Sequence, residues 1–268
     1  MIGSARMYSV GPAAQAAWRA VLEWVFARAG IAGEVLDYPA PQPLSALWAR
    51  PDLACAFMCG YPFATAARRP TLLAAPVPSP APYGERAVYW TDVVVAATAS
   101  FVRIEDVFGG RFAWTDRDSQ SGWQAPRLLL APYAQRRGGP LFAATVGPLV
   151  TPREVAVAVA EGRADAGPLD SYAHALLHAH EPGLAARLRV IARTPATPIP
   201  PLVGAASLDA GVASRLRAAL LEVGAASALA AARSALLLDG FAAVDADAYD
   251  RLVADAATAD AQGYPALA

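Results

Sequence analysis

The chain has 268 residues, of which 56% are hydrophobic and 17% charged; 22 basic against 23 acidic side chains leave a formal charge of −1. At about 150 residues per domain this is one or two domains with a substantial core, not a disordered tail. Every basic residue is an arginine, and the balanced charge without a basic stripe excludes a nucleic-acid binder that works by phosphate neutralisation.

Short apolar strands alternate with longer amphipathic helices along the chain, a pattern that predicts α/β architecture with mostly parallel sheets. A first strand is expected over Ala5–Ser9, followed by a Gly11–Pro12 turn. A helix over Ala13–Ala29 carries the apolar stripe Trp18, Val21, Leu22, Val25 and Phe26, and Gly30 ends it. A strand at Glu34–Tyr38, a short helix at Leu44–Ala49, a strand at Asp52–Met58 and another at Thr71–Val77 follow, before the proline-rich connection 76–82. Val88–Thr98 reads as one long strand. A second series then runs through helix Ile104–Phe108, strand Arg111–Thr115, helix Trp123–Arg136, strand Leu141–Val146, helix Pro152–Glu161, strand Ala164–Leu169, helix Ser171–His180 and strand Leu188–Arg193. The proline cluster at 194–201 closes it. Strand Leu202–Ala206 and two or three alanine-rich helices over 208–260 complete the chain.

Two α/β series joined near 89–92 and 194–201 predict two Rossmann-like lobes around a central cleft. The first lobe is expected to hold residues 1–90 plus 199–268 and the second 91–198, with the small-molecule site in the cleft between them.

No uninterrupted apolar stretch reaches the roughly 18 residues a spanning helix needs. The best candidate, Ala225–Leu238, is broken by Ser227, Arg233 and Ser234, so no membrane insertion is expected. The segment MIGSARMYSVGP shows no apolar region and cleavage site of a secretory signal. A periplasmic location then requires a leader already removed, and otherwise the expected location is cytoplasmic. Cys55 and Cys59 are too few for a disulfide framework. In a strand their sulfurs lie about 13 Å apart at ~3.3 Å per residue, so they are not expected to bond to each other.

Chemistry concentrates in a few places. TDRDSQSGW, residues 115–123, follows a strand and opens a helix, so Ser119, Gln120, Ser121 and Gly122 fall at a helix N-terminus. Unpaired N–H groups, the helix dipole and two hydroxyls suit an anion there, and Gly122 admits a close approach; an ordinary Ser/Asp cap gives the same pattern. At 151–154, Thr151, Pro152 and Glu154 form a capping box, and Arg153 beside them could assist an anion. Asp170 stands at the carboxyl end of a strand, where it either meets a ligand amine or hydroxyl or caps the next helix. His174 and His178 share a helix face without a ligand set fixed by sequence, so neither a metal nor a cofactor is expected. There is no G-x-S-x-G elbow, Walker loop or G-x-G-x-x-G.

MYS (7–9), CGYP (59–62), the crossing Tyr89–Trp90–Thr91, DSQSGW (118–123) and ADAGPLDS (164–171) occur in that order. Over roughly residues 5–206 the chain resembles the phosphate/phosphonate ABC-transporter substrate-binding proteins (PhnD-like) of the type 2 periplasmic-binding fold. The resemblance implies a solute-binding protein, not an enzyme, that holds a small oxyanion for an ABC permease as a monomer or weak dimer. It places oxyanion contacts on Ser119, Gln120, Ser121 and Gly122, aromatic walls on Tyr8, Tyr61 and Tyr89, and an amino-group partner on Asp170. The chain departs from the pattern at Val150–Thr151–Pro152, where relatives commonly carry Gly-x-His, and at Trp123 in place of a tyrosine. The alternative expectation is a cytoplasmic enzyme or ligand sensor on the same fold, similar to chorismate dehydratases or thiamine-pyrimidine synthases.

Overall fold

The computed structural model describes residues 1–268. In chain order the elements begin with β1 (Ile2–Ser4), α1 (Pro12–Arg28), β2 (Glu34–Val35), α2 (Leu44–Trp48), β3 (Leu53–Phe57), α3 (Gly60–Thr65), β4 (Thr71–Pro78) and β5 (Val88–Tyr89). There follow β6 (Thr91–Ala96), β7 (Arg111–Ala113), α4 (Ala125–Arg137), β8 (Ala144–Val146), α5 (Pro152–Ala160), β9 (Ala166–Asp170), α6 (Ser171–His180), α7 (Pro182–Ala185) and β10 (Leu188–Arg193). The last elements are β11 (Thr197–Pro198), β12 (Leu202–Gly204), α8 (Ala210–Glu222), α9 (Ala230–Ala235), β13 (Leu238–Ala242) and α10 (Arg251–Ala261). They form two compact units, Met1–Val88 with Pro198–Tyr249 and Tyr89–Thr197 with Asp250–Ala268.

The first unit is a six-stranded sheet in the order β13-β4-β12-β3-β1-β2. Its centre is β3, whose sequence LACAF is buried at every position, as a strand covered on both faces requires. α1 starts on Pro12, whose missing N–H costs nothing at a first helical position. Its stripe of Ala14, Ala17, Trp18, Val21, Leu22, Val25 and Phe26 is buried. Trp18 and Tyr8 both meet Phe57 edge to face, with ring centroids 5.0 and 4.9 Å away. Cys55 is fully buried on β3 and its thiol is pushed up to about 12 by desolvation. Cys59 stands half-buried at the start of α3 and forms no disulfide.

The second unit is a five-stranded sheet in the order β10-β6-β9-β7-β8. β6 sits between two partners, which explains its continuous Val93–Val94–Val95 run, buried at every position. Phe112 on β7 stacks on Phe142 at 4.6 Å, and both join a core with Val93, Val95, Trp123 and Leu130.

Several expectations change. The sheets are mixed, not mostly parallel: β12 runs antiparallel to β3 and β4, β13 antiparallel to β4, and β6 antiparallel to both β9 and β10. The first strand lies at Ile2–Ser4, and Arg6–Tyr8 is a 3-10 turn. There the Ser4 hydroxyl accepts from Arg6 N and the Ser9 hydroxyl donates to Ala5 O, local bonds that compete with strand pairing. The 88–98 run is two strands broken at Trp90, whose backbone exchanges bonds with Ser171 instead of continuing one ladder. Leu238–Ala242, expected within a helical region, is the edge strand β13.

The domain assignment changes as well. Residues 250–268 belong to the second unit, not the first. α10 is alanine-rich and reads the same against either partner. Its placement follows from what it buries: Ala259, Tyr264 and Leu267 enter the core of Trp123 and Leu130.

β7 and β9 are also joined by charge. Asp165 accepts from Arg111 N at 2.7 Å and pairs with the Arg111 guanidinium at 3.2 and 3.1 Å. These hydrogen bonds hold its carboxyl below the usual carboxylate range. A depressed folded-state value means that the stabilisation is present above the unfolded pKa and is lost as pH falls through the folded one. Asp165→Asn should therefore lose stability at neutral pH and show a flatter loss of melting temperature below about pH 4. Thermal melts of both proteins across that range check it, and parallel acid limbs would refute it.

Candidate functional site

The second unit collects most of the sequence-predicted site residues around one helix start. After β7 the chain turns through Asp116–Asp118, and Ser119 adopts extended backbone (φ −72°, ψ 125°) as the cap of a helix. Its hydroxyl oxygen accepts from Gly122 N at 2.9 Å, while Ser119 O accepts from Trp123 N and Gln124 N. The first turn, Gln120–Gln124, is a wide π-type turn that runs on into α4, so the dipole at Ser119 is that of a helix continuing to Arg137. Gln120 N and Ser121 N precede the bonded turn and have no partner within the helix.

Gly122 is required here by space, not by backbone angle. A Cβ at this position would lie 1.8 Å from Thr115 Oγ1 and 2.9 Å from Ser119 Oγ. The helix start is thereby pressed against the end of β7. Thr115 is buried, and its hydroxyl finds no hydrogen-bond partner in the protein; the buried Gln120 Oε1 also lacks one. Two unanswered polar atoms beside a helix N-terminus are the expected imprint of a ligand or a bound water.

Neighbouring elements fix this turn. Thr91 donates its hydroxyl to Ser121 O at 3.0 Å, and Thr91 N donates to Thr194 Oγ1 at 2.9 Å. In the β6–β9 ladder Thr91 stands opposite Asp170. Asp170 caps α6, one carboxylate oxygen accepting from Tyr172 N at 2.8 Å and Ala173 N at 3.0 Å. Thr91, Ser121 and Asp170 are thus gathered at one end of the sheet, Asp170 at the carboxyl end of its strand.

A second helix start lies alongside. Val150 N donates to Thr115 O at 3.0 Å, and Thr151 caps α5 by accepting from Glu154 N at 3.1 Å. Arg153, considered from sequence as an aid to an anion, is taken up by Glu181 through two bonds of 2.7 and 2.9 Å.

The remaining expectations fall elsewhere. Tyr61, half-buried on α3, and Tyr8, buried to 1% against Phe57, belong to the first unit. Tyr89 opens the second unit and is buried to 1%. His174 and His178 lie ring to ring at 4.8 Å, and His174 Nδ1 shares a 2.9 Å hydrogen bond with Asp92 Oδ2. Asp92 Oδ1 accepts from Trp90 Nε1 and Arg193 Nε. Burial and the neighbouring His174 lower the pKa of His178. No three His, Cys, Asp or Glu side chains are grouped to hold a metal ion.

The site residues that sequence reasoning passed over are Thr91 and Thr115. Both stand inside segments the sequence had singled out, the 89–91 crossing and TDRDSQSGW. Only the fold reveals that their hydroxyls turn toward the 119–122 turn.

Gly122→Ala should lower the melting temperature, since the added methyl must displace Thr115, an overpacking cost of about 1–3 kcal/mol. Adding Thr115→Ala removes the 1.8 Å conflict, so the double variant should regain part of that loss. Thermal melts of the two variants decide it; no recovery would mean that Gly122 is needed for another reason.

The sequence matches the family described as "ABC transporter, phosphonate, periplasmic substrate-binding protein" over residues 13–249. No curated protein matches it. Among solved structures it is similar to a binding-protein component of an ABC phosphonate transporter from Pseudomonas aeruginosa, with a TM-score of 0.78 and 20% identity, covering 97% of this chain and 87% of that one. It is also similar to a Prochlorococcus marinus protein solved in complex with methylphosphonate, with a TM-score of 0.73, 14% identity and 97% of each chain covered. A Xanthomonas citri protein solved bound to ATP has a TM-score of 0.63 at 19% identity, over 98% of this chain and 97% of that one. These likenesses share one fold, the two-lobed mixed α/β type 2 periplasmic-binding fold. With the matched region covering most of its length, the chain belongs to the phosphonate ABC-transporter periplasmic substrate-binding protein family.

Proposed function

We propose that this chain binds a small oxyanion of the phosphonate or phosphate type at the Ser119–Gly122 turn and delivers it to an ABC permease. The observation that carries this reading is the helix start capped by Ser119, pressed by Gly122 onto a buried Thr115 hydroxyl without a protein partner. Such a turn offers backbone N–H groups, the dipole end and the hydroxyls of Ser119, Ser121 and Thr115 to one oxyanion. A Ser119 hydroxyl that accepts from Gly122 N keeps its own proton available to donate. In this reading Gln120 contributes to the same turn, and Asp170 receives a positively charged or hydroxyl substituent.

Binding without catalysis is the better reading of Asp170. One of its carboxylate oxygens takes two backbone N–H bonds as a helix cap, so the side chain is committed to holding the start of α6. Family membership supports transport, and the methylphosphonate held by the Prochlorococcus relative makes that compound the first probe.

Calorimetry with methylphosphonate, inorganic phosphate and sulfate tests the proposal. At least one of the three should bind the wild-type protein. Ser119→Ala with Ser121→Ala removes two bonds of about 0.5–1.5 kcal/mol each, or up to about 3 to a charged group. Affinity for that oxyanion should fall about tenfold to a thousandfold. The double variant should also lose about 1 kcal/mol of stability, because Ser119 is a helix cap. A protein that binds none of the three, or a folded double variant with unchanged affinity, would overturn the assignment.

A further inference from the structure

The oxyanion turn is fastened from behind by residues that are not part of it. Gln124, buried at the end of the first helical turn, donates from Nε2 to Arg117 O at 3.0 Å, which grips the loop just before Ser119. Its Oε1 accepts from Arg127 Nη1 at 2.6 Å. Arg127 is itself buried to 4%, an unusual place for a guanidinium, and its other donors are spent on the C-terminal segment. Arg127 Nε donates to Tyr264 O at 3.2 Å, and Nη2 pairs with the Asp260 carboxylate. Asp260 and Tyr264 are in turn fixed by their own segment: Tyr264 is buried, its hydroxyl donates to Ala268 O at 3.0 Å, and Leu141 N donates to the same carbonyl at 2.7 Å. The Arg117 guanidinium lies over the Trp123 ring at 5.2 Å, a second hold on the same loop.

We infer that Gln124 and Arg127 are positioning residues for oxyanion binding, transmitting the placement of residues 260–268 to the 117–122 turn through the Arg117 carbonyl. The inference rests on the reading that the Ser119–Gly122 turn is the oxyanion site. Its physical content is separate: a loop whose carbonyl is held by a side-chain amide, itself oriented by a buried cation, samples fewer conformations. Less order then has to be gained when a ligand binds. The amide of Gln124 is the only link in this chain that must both donate and accept, since its oxygen faces Arg127 and its nitrogen faces the carbonyl. A carboxylate in its place keeps the first bond and turns the second into a repulsion.

Three variants test the inference: Gln124→Glu, which keeps the Arg127 bond, Asp260→Asn, altered at a largely exposed side chain, and Arg127→Met. The first readout is hydrogen exchange of the ligand-free protein, resolved for residues 117–122 and for strands β6 and β9. In Gln124→Glu, exchange over 117–122 should rise about tenfold while β6 and β9 stay as in the wild type; Asp260→Asn should give a smaller rise at the same place. The second readout is calorimetry with methylphosphonate, whose affinity should fall about three- to thirtyfold in Gln124→Glu. Should the wild type bind phosphate or sulfate but no methylphosphonate, that oxyanion replaces it in the second readout; should it bind none of the three, the functional reading is at fault, and the exchange pattern still decides the positioning role. Unchanged exchange over 117–122 in Gln124→Glu would overturn the inference. So would a rise spread equally over β6 and β9, which marks general loosening. If Arg127→Met does not fold, the other two variants carry the test.

Discussion

The close approach of Gly122 to Thr115 is the constraint on which the second unit's site depends. With only hydrogen at that Cα, the start of a long helix rests directly on the end of β7, and the Ser119 cap, the wide first turn and the Thr115 hydroxyl occupy one small volume. A side chain there would have to displace Thr115 or lift the helix off the strand. A lifted helix would strain the Thr91 bond to Ser121 O and the Gln124 bond to Arg117 O. The turn is compact because the packing is tight, and the packing is tight because one residue has no side chain.

This arrangement fits a protein with no lysine and with four of the second unit's arginines paired to carboxylates, while Arg117 lies over the Trp123 ring. Arg153 is held by Glu181, Arg193 by Asp92, Arg111 by Asp165 and Arg127 by Asp260. Apart from Arg117, negative charge would be met at this turn by dipoles and neutral hydrogen bonds. Such donors recognise shape and protonation as much as charge, because each points in a fixed direction. A free cation near the turn would attract many anions. A fixed set of N–H and O–H donors discriminates by geometry.

Much of this was legible in the sequence, and the parts that were not have physical reasons. The helix start at Ser119, the Thr151 cap of α5 and the α1 stripe are local patterns, and they formed where local chemistry placed them; the Glu154 half of the expected capping box did not, because its carboxylate pairs with Arg153 and Thr151 N donates to Leu149 O. Strand direction was not legible, because an apolar run such as Val93–Val95 reads the same whether its neighbours run with it or against it. Asp170 caps α6 by bonds to its own next turn, as its position before a helix suggested. The roles of Thr91 and Gln124 depend on carbonyls 30 and 7 residues away in sequence. No window of residues displays such pairings. α10 was misplaced for a similar reason: an alanine-rich amphipathic stripe states that it will be buried, not against what.

That placement of α10 sets an order of events during synthesis. Residues 89–197 can form their strands and helices as they emerge, but Trp123 and Leu130 lack part of their cover until Ala259, Tyr264 and Leu267 arrive. Arg127 likewise waits 133 residues for Asp260. Until then a buried guanidinium has no carboxylate and an apolar face stands open, the kind of surface on which nascent chains stick to one another. The second unit therefore closes only after all of the first unit's sequence has left the ribosome. Its last nineteen residues, from Asp250 to Ala268, are the keystone set last.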